Sequence, residues 1–369
     1  MRVQCSQEQL MHEVQIVTRA ISSRASMPIL SNLLLDSTGG ILRITATDLE
    51  LGIESQVRAS VLEPGNITVP ARIFGDIIVN LPAAPITIDV SEGDTKTRIT
   101  CESIKFEILG LPAADFPLMP SNGGDTVAQI DAGLLRTMIR QTSFAVSTDE
   151  TRPFLTGVYV VLEGHDGRLV ATDGGRLALR TAKLTKGVRD KISAIVPSKT
   201  MAELVRALGT AEGEVTITAH ENQLIFAVGS MRFVSRLIAG QFPPYEKVIP
   251  SEFKQRIKVG TERLLRAVRR ASITARDSAN VVRLSAAERT LTVSSNTPEV
   301  GKAQEEIDVQ ADGETIQVAF NAKFLLDALT NMDSAEVLFE LTGSLSPGML
   351  RPVEHAEYVY VLAPVRVYG

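Results

Sequence analysis

One stretch occurs three times in this chain, at a spacing too long for a solenoid and long enough for a domain, and that repetition limits the fold more than any single motif. LRITATDLELGIES, from Leu42 to Ser55, matches GRLVATDGGRLALR, from Gly167 to Arg180, with Ala46-Thr47-Asp48 standing 125 residues before Ala171-Thr172-Asp173. A weaker third copy, RTLTVSSNTPEVGKA, runs from Arg289 to Ala303. The first two alternate with period two into a turn and out of it, which is the pattern of a β-hairpin. At Asp173-Gly174-Gly175 the paired glycines offer the positive φ that a two-residue hairpin turn needs.

Amphipathic helices frame every copy. SQEQLMHEVQIVTRAIS from Ser6, DAGLLRTMIRQTSFAVS from Asp131 and GTERLLRAVRRASITA from Gly260 precede the hairpins. Apolar pairs recur at i, i+4 as Leu10/Val14, Leu135/Ile139 and Leu264/Val268, with Ser, Asp or Thr available as caps. Each hairpin is followed by a short strand running into another helix: ITVPARIFGDIIVNL, AIVPSKTMAELVRAL and IQVAFNAKFLLDALTNM. An acidic residue marks each of these second helices, at Asp76, Glu203 and Asp327.

Units of roughly 123 residues fill the chain of 369. Solenoid repeats of about 20 to 45 residues cannot close a core alone, whereas this length is that of a domain. LPAADFPLMP (Leu111 to Pro120), followed by Ser121-Asn122-Gly123-Gly124, and AGQFPPYEKVIP (Ala239 to Pro250) punctuate the unit ends. Proline donates no backbone hydrogen bond and restricts the residue before it, so both read as extended linkers. The expected domains are 1–122, 123–250 and 251–369. Strands such as Ile86 to Val90 and Glu214 to Thr218 outnumber helices, which favours an α+β fold. The expectation is three tandem copies of one domain, each with two helices packed on antiparallel sheets. A rotation repeated by fixed linkers gives a ring if it closes.

Charge is unevenly spread. The segments 7–24, 70–81, 131–147, 198–208, 261–276 and 321–332 together carry +6, so the rest of the chain carries −11 against a net charge of −5. Arg136, Arg140, Lys199, Arg206, Arg263, Arg266, Arg269 and Arg270 contribute to the excess. Two readings fit: arginines solvated on outer helix faces, or a helical surface turned towards a polyanion with acidic strands facing outward. In the second, a net acidic protein can still surround DNA.

Little points to catalysis. His12, His165, His220 and His355 are isolated in sequence, without a nucleophile or metal-ligand spacing. No GxxxxGK[ST] or GxGxxG occurs. No catalytic residue, metal or cofactor is expected, and an enzyme is disfavoured. Asp173-Gly174-Gly175-Arg176 reads as a plain surface turn or as an anion site built from backbone N–H groups and Arg176. Cys5 and Cys101 allow one disulfide at most and read as buried or semi-buried thiols. No apolar run is long enough to span a bilayer, and MRVQCSQEQL lacks the apolar region of a secretory signal, so a cytoplasmic protein with no membrane partner is expected.

Further motifs narrow the reading: PILSNLLL from Pro28, ATDLEL around Asp48, LPAADFP from Leu111, RPFLTGV from Arg152, ATDGGRLAL from Ala171, VPSK from Val196, QFPPYEKVIP from Gln241 and the tail YVYVLAPVRV. In combination, and essentially end to end, the chain resembles the bacterial sliding clamps, the beta subunits of DNA polymerase III. The resemblance implies a processivity clamp, a head-to-tail homodimer forming a ring around double-stranded DNA without sequence specificity. Helices would line its hole and sheets form its outer wall.

It also implies a pocket between the second and third domains for the short clamp-binding peptides of DNA polymerase, clamp-loader subunits and repair proteins. By position the pocket comprises Leu155, Thr172, Gly174, Gly175, Arg176 and Leu177, then Pro243, Lys247 and Val248, then Asn321, Phe324 and Leu345, and the tail residues Val361, Leu362, Ala363, Pro364, Val365 and Arg366. Apolar side chains would take Leu and Phe anchors, while Arg176 and main-chain groups fix the peptide's polar atoms. Gly175, Ala363 and Lys247 stand where many members carry His, Met and Arg, and Val367-Tyr368-Gly369 lengthen the tail. The positions matching DNA contacts are Arg24, Arg152, Phe154 and Lys199, with Pro153 where several members have an aromatic residue. At the subunit seam Phe106 and Ile108 would meet the region of Ile273 and Thr274. Only the middle copy carries the whole Asp-Gly-Gly-Arg set, so one docking site per chain is expected.

Overall fold

The structure is a computed structural model that describes residues 1–22, 27–91, 93, 95–120, 126–209, 212–275 and 280–366. Arg24 and the tail extension Val367-Tyr368-Gly369 lie outside the described residues. Six α-helices are described: α1 Gln7–Val17, α2 Ala71–Asn80, α3 Ala132–Ser143, α4 Ser198–Ala207, α5 Thr261–Ala275 and α6 Ala322–Thr330. They fall two to a repeat, and α1 packs on α2 and α5 on α6. Ser6 caps α1 by accepting from the Gln9 amide at 3.3 Å, and Asn321 caps α6 by accepting from the Lys323 amide at 2.9 Å. On α5 the 3.6-residue period buries Leu264, Leu265, Val268 and Ala271, and leaves Arg263, Arg266 and Arg270 facing solvent.

All strand pairings among the described residues are antiparallel. All three repeated stretches are hairpins: Leu42–Thr47 with Leu51–Val57, Asp166–Thr172 with Arg176–Lys183, and Thr290–Thr297 with Gly301–Asp308.

The chain divides into two compact units, residues 1–133 with 203–237, and residues 134–202 with 238–369. These units do not coincide with the repeats, because sheets run from one repeat into the next. In the first unit an eight-stranded sheet places Leu51–Val57 beside Met231–Arg236, with Gly52 opposite Val234. In the second a nine-stranded sheet places Arg176–Lys183 beside Tyr358–Leu362, with Leu177 opposite Val361. A further sheet completes each unit, five-stranded in the first and four-stranded in the second.

The inward faces supply the cores. Leu33, Leu35, Ile44, Ile53, Phe74, Phe226 and Phe233 are fully buried in the first unit, and Phe320, Phe339, Leu350, Tyr358 and Tyr360 in the second. Burial of each such side chain favours folding by about 1.5–3 kcal/mol.

Cys5 and Cys101 are buried, free thiols. Both lie opposite Ile86, one from each side, so two strand spacings separate them. At roughly 10 Å they are beyond disulfide reach. Burial pushes the Cys5 thiol pKa up to about 12.

Candidate functional site

Thr172 and Asp173, more than the glycines, build the turn at the centre of the second unit. Thr172 pairs with Leu177, so the loop holds four residues and not the two that the Gly-Gly pair suggests. Thr172 Oγ1 donates to the Arg176 carbonyl at 2.6 Å and accepts from the Gly174 amide at 3.1 Å. Asp173 Oδ1 accepts from the amides of Gly175 at 2.8 Å and Arg176 at 3.0 Å. Short polar side chains here replace backbone acceptors.

The first repeat makes the same turn without glycine. Thr47 Oγ1 accepts from Leu49 N at 3.0 Å, and Asp48 Oδ1 accepts from Glu50 N at 3.0 Å and Leu51 N at 2.8 Å. Leu49 takes the left-handed φ of 76° where Gly174 has 93°. Gly175 is not left-handed, and its smallness has a packing reason: a Cβ there would lie 3.1 Å from Phe324 Cε2.

Arg176 is buried, and its guanidinium is engaged by protein. Nε donates to Asp173 Oδ2 at 3.0 Å, Nη1 to Asp327 Oδ2 on α6 at 2.5 Å, and Nη2 to the Phe144 carbonyl at 2.8 Å. Its carbon centre stands 4.5 Å from the Phe324 ring centroid and 5.6 Å from that of Phe144. Burial works to lower the Arg176 pKa, but the hydrogen bond to Asp327 and the fields of Tyr360 and Asp173 outweigh it, and the pKa is raised. Burial in turn pushes the Tyr360 phenol up, and its Oη donates to the Phe324 carbonyl at 3.0 Å. Arg176 therefore ties the turn to α6. Asp327 was visible in the sequence as the acid of a second helix, yet nothing local linked it to Arg176, 151 residues away.

Beside this turn lies a cleft of about 250 Å³. Of the expected residues, Leu155, Thr172, Gly174, Gly175, Arg176, Leu177, Pro243, Val248, Val361 and Ala363 line it. Pro244, Tyr245 and Pro347 line it as well and were not foreseen. The first two lie inside the QFPPYEKVIP motif and could have been proposed from it, whereas Pro347 carried no signal. Lys247, Asn321, Phe324, Leu345, Leu362, Pro364, Val365 and Arg366 are not among the lining residues. Phe324 acts one layer back, over Arg176, and Leu362 is fully buried. Leu345, Lys247 and Arg366 are exposed. The Val365 amide is bonded to the Ala319 carbonyl at 2.8 Å.

The floor is rigid. Leu155, Leu177, Tyr245 and Val361 are buried in one cluster with Val170, Ile195, Phe242 and Met349. Tyr159 stacks on Phe242 at 4.7 Å between centroids. Ala363 N donates to Gly175 O at 2.9 Å and so holds the tail against the turn. A mainly apolar cleft with a few fixed polar groups suits an extended peptide carrying apolar anchors.

The residues matched to DNA contact fall partly at the same place. Arg152 is exposed, donates from Nε to Asp149 Oδ2 at 2.9 Å, and brings Nη1 to 3.5 Å from the position of a Cβ on Gly174. Phe154 is half-buried and packs on the cluster beneath the cleft. Lys199 is exposed in the first turn of α4. Phe106 and Ile108 lie on Ile104–Leu109, the edge strand of the five-stranded sheet, with Phe106 41% exposed. Ile273 on α5 is 59% exposed, while Thr274 Oγ1 is paired with Ser295 Oγ at 2.6 Å. An edge strand bearing exposed apolar residues is open to pairing by another chain. Among the described residues no group of His, Cys, Asp and Glu is placed to hold a metal ion, and no helix is long and apolar enough to cross a membrane.

Comparison with known proteins agrees across the whole length. Models of the DNA polymerase III beta subunit match as N-terminal domain over residues 1–120, central domain over 129–244 and C-terminal domain over 246–366. The beta sliding clamp of Bacillus subtilis (strain 168) is 35% identical over 379 residues, covering 100% of both chains. That of Staphylococcus aureus (strain N315) is 33% identical over 360 residues, covering 95% of each. The crystal structure of the Bacillus subtilis DNA polymerase sliding clamp superposes with a TM-score of 0.95 at 35% identity, over 100% of both chains. That of the DNA polymerase III subunit beta from Pseudomonas aeruginosa gives 0.92 at 33%, over 99% of this chain and 100% of the other.

Proposed function

The chain belongs to the DNA polymerase III beta-subunit family, and on that footing we propose that it is a processivity clamp that holds polymerase on duplex DNA. The family is non-catalytic and the chain is not an enzyme. Two chains, head to tail, form a homodimeric ring around double-stranded DNA in the cytoplasm, each built of domains 1–122, 123–250 and 251–369. Phe106 and Ile108 of one chain meet the Ile273 and Thr274 region of the other across the seam, covering an apolar edge strand. Arg24, Arg152, Phe154 and Lys199 approach DNA, with the three cations contacting phosphates without base reading, since a sliding ring gains nothing from sequence.

The observation that carries the reading is the apolar cleft formed by Thr172 to Leu177, Pro243 to Tyr245 and Val361. DNA polymerase and clamp-loader subunits dock there through short clamp-binding peptides, with Leu and Phe side chains as anchors. Of the eighteen positions matched to the pocket, ten line the cleft, while Phe324 stacks over Arg176 behind it and Leu362 is fully buried. Calorimetric titration with a blocked Leu-Ser-Leu-Phe peptide tests it. Binding at one site per chain, lost in Val248→Glu, a lining position 48% exposed, with the melting curve unchanged, is expected; equal binding by that variant would refute the assignment.

A further inference from the structure

The parts that make the cleft recur in the first unit. Three amide hydrogen bonds of the Thr172 to Arg176 turn recur in the Thr47 to Leu51 turn. Arg236 N donates to Glu50 O at 2.8 Å, as Ala363 N does to Gly175 O at 2.9 Å. Val234 lies opposite Gly52 as Val361 lies opposite Leu177. Phe116 is buried with Ile29 and Leu30, as Phe242 is buried with Leu155 beside Phe154.

One position differs in kind. Gly52 stands where Leu177 stands, and the thioether of Met119 occupies the space a side chain there would need. The segment carrying Met119 is pinned on both sides. Phe116 is buried, and the Pro120 carbonyl accepts from Arg232 Nη2, whose guanidinium pairs with Glu54 at 3.8 Å. Around it two apolar side chains face water, Leu49 at 45% and Leu118 at 98% exposure, in the positions of Gly174 and Pro244 of the open cleft. Methionine, unbranched and flexible, fills a groove and can also leave it.

We infer that the junction of the first two repeats carries a second, self-occupied copy of the peptide site, with Met119 as its built-in occupant. The ligand class is the same, a short extended peptide with apolar anchors. This inference rests on the reading of the Leu177 cleft as a peptide site, and it accounts for one open site per chain in a protein that repeats its fold three times.

Calorimetric titration of the full-length wild type and of Met119→Ala with the blocked Leu-Ser-Leu-Phe peptide separates the two ideas. Both stand if the wild type binds one peptide per chain and Met119→Ala binds two, the second more weakly. One peptide on each overturns the inference and leaves the Leu177 cleft standing. No binding by the wild type refutes the Leu177 cleft and, with it, the inference that rests on it, whether or not Met119→Ala binds. Should Met119→Ala not fold, Met119→Thr is read in the same way, and methyl NMR of labelled Met119 in the wild type gives a second reading. Its resonance is expected to show a methyl packed on the backbone of residue 52, and one with the shift and mobility of a solvent-exposed methionine would overturn the inference.

Discussion

Asp327 Oδ2 lies 2.5 Å from Arg176 Nη1, and through this contact α6 of the third repeat holds the turn of the middle repeat. The carboxylate of Asp173 takes Nε of the same guanidinium, so a single arginine is clamped between its own turn and a helix 151 residues away. The wall of the cleft therefore depends on a residue that does not line it.

Replacing Asp327 with Ala should cost about 1.5–3 kcal/mol, the range for a hydrogen bond to a charged group, with Asp173 left to hold the guanidinium. Because the turn loses its anchor, peptide affinity should fall on the order of tenfold, equivalent to about 1.4 kcal/mol. Thermal melts and calorimetry on Asp327→Ala and Asp327→Glu check this. A melting point that falls while affinity stays constant would show that the contact supports the fold alone.

Gly175 and Phe324 should be coupled. A Cβ at 175 lies 3.1 Å from the Phe324 ring, so Gly175→Ala must push the ring that covers Arg176. The expected cost is about 1 kcal/mol, the low end for overpacking, and it should largely vanish in the Phe324→Ala background. A double-mutant cycle measures this coupling; additive effects would mean that the ring yields freely.

Stability should fall on the alkaline side through Cys5. Its folded pKa is raised from 9.0 to about 12 by burial. The unfolded thiol therefore ionises first, and the stabilising contribution, complete below pH 9, is lost progressively as pH rises towards 12. At pH 10.5 the loss is on the order of 2 kcal/mol. Urea unfolding at pH 8 and 10.5 should show a smaller drop for Cys5→Ala than for the wild type. Equal drops would place the alkaline sensitivity elsewhere.

The three-part organisation was legible because a hairpin and two helices recur at domain-length spacing, and each helix announces itself by period and cap, as at Ser6 and Asn321. The cause of the central turn is only partly legible: Gly174 does take a positive φ of 93°, and Gly175 does not. Gly174-Gly175 drew attention, but Leu49 shows that Thr-Asp side-chain bonding makes the turn even without glycine. The motif match brought together ten of the residues that line the cleft, among them Thr172, Leu177 and Val361, because these sit in contiguous stretches. Pro347 and Asp327 come from elsewhere in the third repeat, and their roles exist only once Tyr358–Leu362 pairs with Arg176–Lys183. The sheets crossing the repeat boundaries were equally hidden, since strand partners separated by more than 170 residues leave no local trace.

The most direct test of the clamp is topological. The protein is loaded on nicked circular DNA by a clamp loader, isolated, and the DNA is then cut once. Retention on the intact circles and rapid loss through the ends after linearisation are expected, at a salt concentration that abolishes ordinary phosphate binding. Equal retention on circular and linear DNA would contradict the clamp assignment.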